Sequence, residues 1–102
     1  MKLLNKNGKK VYEILDFGIV SVGDSKVFEY FLYNDTGTTV TEIEVILTTR
    51  NNNELKLEEF PTELKDEEQG SIKIRWTPNL QIKKGLKARI EIKGRELWLP
   101  EE

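Results

Sequence analysis

The chain has no cysteine and no histidine, and only one alanine (Ala88), one methionine and three prolines among its 102 residues. Without cysteine it builds no disulfide framework and offers no thiol nucleophile. Without histidine it has no imidazole base, no Ser-His-Asp triad and no tetrahedral zinc site of the usual nitrogen and sulfur ligands. Catalysis would fall to carboxylates, Lys, Tyr and Ser or Thr. The adjacent acids Glu58/Glu59 and Asp66/Glu67/Glu68 show neither the fixed separation that glycoside chemistry needs nor the spacing of a calcium loop. The expectation is a non-enzyme that needs no cofactor and no metal.

The chain also lacks a charge surplus. Lys and Arg number 16 against 18 Asp and Glu, a formal charge of -2, which gives no overall attraction to nucleic acid or to anionic lipid. The start, Met1-Lys2-Leu3-Leu4-Asn5-Lys6, lacks the apolar core of about 7–15 residues that marks a signal peptide, and no apolar run is long enough to span a bilayer as a helix. Synthesis in the cytoplasm is therefore expected, with neither nucleic acid, membrane nor a small-molecule substrate as partner.

What the sequence has in quantity is β-branched residues. Val, Ile and Thr total 23 beside that one Ala, a balance that suits pleated strands better than helices. Period-two alternation marks strands at Ser25–Asn34, Thr39–Thr49, Ser71–Thr77 and Gly85–Lys93, with shorter ones at Val11–Leu15, Glu54–Glu58 and Glu96–Leu99. The first two read as a pair joined by the Asn34-Asp35-Thr36-Gly37 turn. Gly18, Gly23 and Gly37 are placed to supply positive φ at turns, and Asn34 or Asp35 to hydrogen-bond its own turn backbone. About seven short antiparallel strands with regular turn signals make an all-β two-sheet sandwich, one domain over residues 1–102. By parity the expected core is Phe17, Phe28, Tyr30, Leu32, Ile43, Val45, Leu47, Ile72, Ile74, Trp76, Ala88, Ile90 and Ile92.

Asp16-Phe17-Gly18-Ile19-Val20-Ser21-Val22-Gly23, then an aromatic strand ending in Asn34-Asp35-Thr36-Gly37, resembles the start of ASH-type domains. That group is named for abnormal-spindle protein and hydin and is allied to major sperm protein and PapD-like sandwiches. Phe60-Pro61, the strand Ile72-Lys73-Ile74-Arg75-Trp76 running into Thr77-Pro78, and Gly85 before a last pair of strands extend the likeness over about Leu15 to Leu99. Asp35 and Thr36 inside the Asn-x-Gly turn, and the acidic stretch around Leu64 to Gln69, depart from the pattern. The resemblance implies an immunoglobulin-like module that mediates protein contacts and carries no catalytic residues.

The residues singled out for function lie on the second apolar face of the Ser25–Asn34 strand. With Phe28, Tyr30 and Leu32 turned to the core, Val27, Phe31 and Tyr33 point outward and, with Ile46 of the paired strand, form an expected partner-binding patch, to which Trp98 is added. The bland reading of that face is a central strand covered by the N-terminal segment or by the loop through Phe60. Charge is segregated as well: six acids and one Lys lie between Glu58 and Gln69, against four Lys and no acid in the first ten residues. Opposed poles of this kind orient copies or larger partners, or simply keep edge strands apart.

Three roles follow. The first is a structural module attaching to a large assembly, with self-association one form of it and a bacteriophage virion, as accessory or decoration protein, its expected setting by analogy of size and fold. The second is a cellular adaptor binding a protein by strand addition at a sheet edge. The third is a carbohydrate-binding module.

Overall fold

The computed structural model describes residues 1–18, 24–49, 54–78 and 86–97. From Lys26 to Tyr33 the alternation reads out directly: Tyr30 and Leu32 are buried, with Phe28 packed against the same core, while Val27, Phe31 and Tyr33 are half-buried on the opposite face. Among the described residues there are eight strands: β1 (Lys2–Leu4), β2 (Lys10–Val11), β3 (Ile14–Asp16), β4 (Lys26–Tyr33), β5 (Thr39–Thr48), β6 (Leu55–Glu59), β7 (Gln69–Trp76) and β8 (Lys87–Leu97). They form two antiparallel sheets, one of five strands in the order β2-β1-β4-β7-β6 and one of three in the order β3-β8-β5. The fold is an all-β, two-sheet sandwich.

All of the expected core residues are buried or packed against the core, which also takes in Leu3, Leu15, Val40, Leu64 and Leu86. Phe17 meets Phe28 edge to face, with ring centroids 4.9 Å apart, and lies 6.3 Å from Trp76, so the β3 end of one sheet is tied to β4 and β7 of the other.

The expected pairing of β4 with β5 does not form. β4 pairs with β1 and β7, β5 pairs with β8, and Asn34–Thr38 is an arch between sheets instead of a hairpin. The physical cause is Asn34, which is fully buried. Its Nδ2 donates to the carbonyls of Thr38 (2.7 Å), Leu64 (2.9 Å) and Lys65 (3.1 Å), and its Oδ1 accepts from Thr36 N (3.0 Å) and Thr36 Oγ1 (2.7 Å). Its backbone N–H donates to Glu68 O, and its carbonyl accepts from Glu67 N. These bonds pin the end of β4 to the 64–68 loop and carry the chain across the core. Gly37, at φ 86°, turns the arch, and its N–H donates to Asp66 Oδ1.

Three strands depart from the expected pattern. The single strand expected at Val11–Leu15 is two, because Tyr12 and Glu13 step from the five-stranded sheet to the three-stranded one. β8 runs unbroken through Gly94, where a side chain would collide: a Cβ there would stand 2.5 Å from Val40 Cγ1. β5 carries a bulge at Glu42, φ 53°, which resets its alternation so that Val40 and Ile43 both turn inward, followed by Val45 and Leu47.

Candidate functional site

The outer face of the five-stranded sheet is built in rows by the register. Leu4 of β1 lies opposite Phe31, and Lys2 opposite Tyr33; across β4, Val27, Glu29, Phe31 and Tyr33 face Arg75, Lys73, Ser71 and Gln69 of β7. Leu4, Val27, Phe31 and Tyr33 are all half-buried on the solvent side of the sheet; Leu4, Phe31 and Tyr33 lie in adjoining rows, and the Glu29–Lys73 row separates them from Val27. Solvent faces of antiparallel sheets are ordinarily polar, so apolar side chains in adjoining rows here are informative. The N-terminal segment does not lie over them; β1 joins the sheet edge to edge and adds Leu4 to the apolar cluster.

On the β7 side the cluster is bounded by side chains already held in place. Lys73 Nζ sits 3.3 Å from Glu59 and 3.9 Å from Glu29, and Glu29 also accepts from Ser71 Oγ at 2.9 Å. Arg75 Nε reaches Glu58 at 2.5 Å, and its Nη1 donates to Ser25 Oγ at 2.7 Å. The Arg75 guanidinium beside Glu58 holds that carboxyl below its ordinary range. Exposed pairs of this kind add little to stability. They do fix the positions of the charges that a partner would meet at the rim of the cluster.

Val27, Phe31 and Tyr33 thus share one surface, and Ile46 is not part of it. Because β5 belongs to the three-stranded sheet, Ile46 points out of the other side of the sandwich, 37% exposed and opposite Glu91. Trp98 lies outside the described residues. Four of the six acids of the 58–69 stretch are engaged within the fold: Glu58 and Glu59 pair with Arg75 and Lys73, Asp66 accepts from Gly37 N, and Glu68 accepts from Lys65 N. In the same loop Leu64 is buried and bridges to Val40.

Sequence reasoning passed over Tyr12 and Ile14, which are 74% and 54% exposed. Parity from the buried Leu15 puts Ile14 outward and could have found it; Tyr12 depends on the step between sheets. Tyr12 stands at the mouth of a cleft of about 250 Å³ between the sheets, floored by Leu3, Leu32, Ile90 and Ile92. Lys10 Nζ lies 5.5 Å from its ring centroid, and beside it Glu13 pairs with Arg89 at 3.0 Å.

Comparison with protein-family models, curated proteins and solved structures finds no match. Several of the turn residues singled out in the sequence take a turn role in the structure. Asp16 Oδ1 accepts from Gly18 N, Gly18 and Gly37 take positive φ, and Asn34 organises the arch; Gly23 and Gly85 lie outside the described residues.

Proposed function

We propose that this chain is a non-enzymatic β-sandwich module that attaches to a protein partner or a larger protein assembly through the outer face of its five-stranded sheet. The observation that carries the reading is the half-exposed apolar cluster of Leu4, Phe31 and Tyr33, with Val27 beyond the Glu29–Lys73 pair on the same face and further ion pairs along the β7 side. An apolar centre with a polar, pre-positioned rim is the anatomy of a docking patch. A virion surface presents partners in regular array, and attachment there asks nothing of the chain beyond such a face.

The test compares the wild-type protein with Phe31→Ser and, as a control elsewhere on the surface, Tyr12→Ser. Sedimentation across a salt series reads self-association, and capture on immobilised protein reads binding of other proteins. The expected result is that association is lost with Phe31→Ser and retained with Tyr12→Ser, both variants folding. Loss with Tyr12→Ser alone would move the docking surface to the inter-sheet cleft and overturn the assignment.

A further inference from the structure

β4 is eight residues long, yet β1 pairs with only three of them, Phe31, Leu32 and Tyr33. β1 stops because Asn5 turns the chain: its Oδ1 accepts from Asn7 N at 2.9 Å and Lys9 N at 3.0 Å, and Gly8 takes φ 77° in the same hairpin. From Lys26 to Tyr30, β4 is paired to β7 on one side, and on the other no strand among the described residues meets it. Every second backbone N–H and C=O along that stretch faces a notch of about 280 Å³ between β4 and the Asn5-Lys6-Asn7 turn. A strand lies about 4.8 Å from its neighbour, so an extended segment entering here would continue the line of β1 and close the ladder.

Charge selects the occupant. Lys6 and Lys26 line the notch, are exposed, and form no ion pair among the described residues; Lys26 Nζ rests 5.1 Å from the Phe28 ring centroid. The acid in the same wall, Glu29, is taken up by Ser71 and Lys73 on the outer face. We infer that the Lys26–Tyr30 edge is a strand-addition site for an extended, acidic segment of a partner protein, running antiparallel to β4 and in line with β1. The inference rests on the protein-binding role proposed above and names the chemistry of the partner. Backbone pairing supplies the fit, the two lysines select acidic side chains, and outward-facing residues of the added segment prolong the apolar face from Leu4 towards Val27.

The probe is a capped hexapeptide alternating valine with glutamate, titrated into isotope-labelled protein while amide shifts and hydrogen exchange are followed. A second peptide carries lysine in place of glutamate. The expected result is that alternate amides between Lys26 and Tyr30 shift and exchange at least about tenfold more slowly with the glutamate peptide. Lys6→Glu together with Lys26→Glu, both at exposed positions, should weaken binding about tenfold or more, and Phe31→Ser should leave it within about twofold. Equal binding of the lysine peptide, perturbation confined to Leu4, Phe31 and Tyr33, or no saturation at about 5 mM peptide would each overturn the edge assignment. Capture of partners that still depends on Phe31 would in those cases leave the docking face standing, so the two readings fail separately.

Discussion

Replacing Asn34 with Asp changes one amide nitrogen to oxygen, and the structure gives a sharp account of the consequence. The Nδ2 position lies 2.7–3.1 Å from three carbonyl oxygens, those of Thr38, Leu64 and Lys65, in a side chain with no exposed surface. An amide supplies two hydrogens there. A carboxylate supplies none, and places a negative charge against three acceptors, so the buried acid must either stay ionised at high cost or bind a proton.

Asn34→Ala sets the scale. Each of the three carbonyls has another donor: Val40 N on Leu64 O, Glu68 N on Lys65 O, and Thr36 Oγ1 on Thr38 O. No carbonyl is orphaned, although Thr36 N loses its Oδ1 acceptor, so the loss is the net worth of four or five hydrogen bonds, about 2–7 kcal/mol at roughly 0.5–1.5 each. That is a large part of the roughly 5–15 kcal/mol of a typical domain. Asn34→Asp should lose more than Asn34→Ala at neutral pH, and recover part of the difference on acidification as the buried acid takes up a proton and regains one donor. Urea unfolding followed by tryptophan fluorescence at pH 7 and pH 5 measures both variants. An Asp variant within about 1 kcal/mol of wild type at pH 7, or more stable than the Ala variant there, would refute the assigned amide orientation and the arch it organises.

Gly70→Ala should destabilise by about 1–3 kcal/mol, since its Cβ would stand 2.7 Å from two carbons of the rigid Pro61 ring; a urea midpoint unchanged from wild type would mean that Pro61 does not pack there. Trp76→Phe should cost less in urea unfolding than its volume loss suggests, because the buried indole N–H has no acceptor among the described residues and its removal relieves a penalty of about 1–3 kcal/mol. Among the described residues two carboxyls are held low in the folded state, Asp35 chiefly by a hydrogen bond from the Met1 ammonium and Glu58 by one from Arg75. Their contribution is present above the ordinary carboxylate range and is lost as pH falls through it, so thermal melts should decline in acid, and less so for Glu58→Gln. Burial, with Asp16 nearby, raises the Tyr30 phenol, so the folded state holds that proton more tightly than the unfolded chain and stability should fall as pH rises beyond 10.0, a decline that Tyr30→Phe should lessen.

Within the regular stretches of strand, alternation determined which side chains face inward. Phe28, Tyr30 and Leu32 against Val27, Phe31 and Tyr33 is a period-two fact, and burial follows it because a strand has only two faces. The same rule located Ile72, Ile74, Trp76, Ala88 and Ile90 in the core, and the balance of β-branched residues over alanine foretold an all-β sandwich. Tertiary structure decided which strands are neighbours. Strand pairing is made between residues distant in the chain, and nothing local to Asn34-Asp35-Thr36-Gly37 distinguishes a hairpin from an arch until Leu64, Lys65 and Glu68 arrive to bind Asn34. That one choice sent β5 to the other sheet, removed Ile46 from the face that Val27, Phe31 and Tyr33 share, and put Leu4 of β1 in its place. The open edge of β4 was equally hidden, because it depends on where β1 stops relative to a partner strand more than twenty residues away in sequence, a length that no alternation pattern encodes.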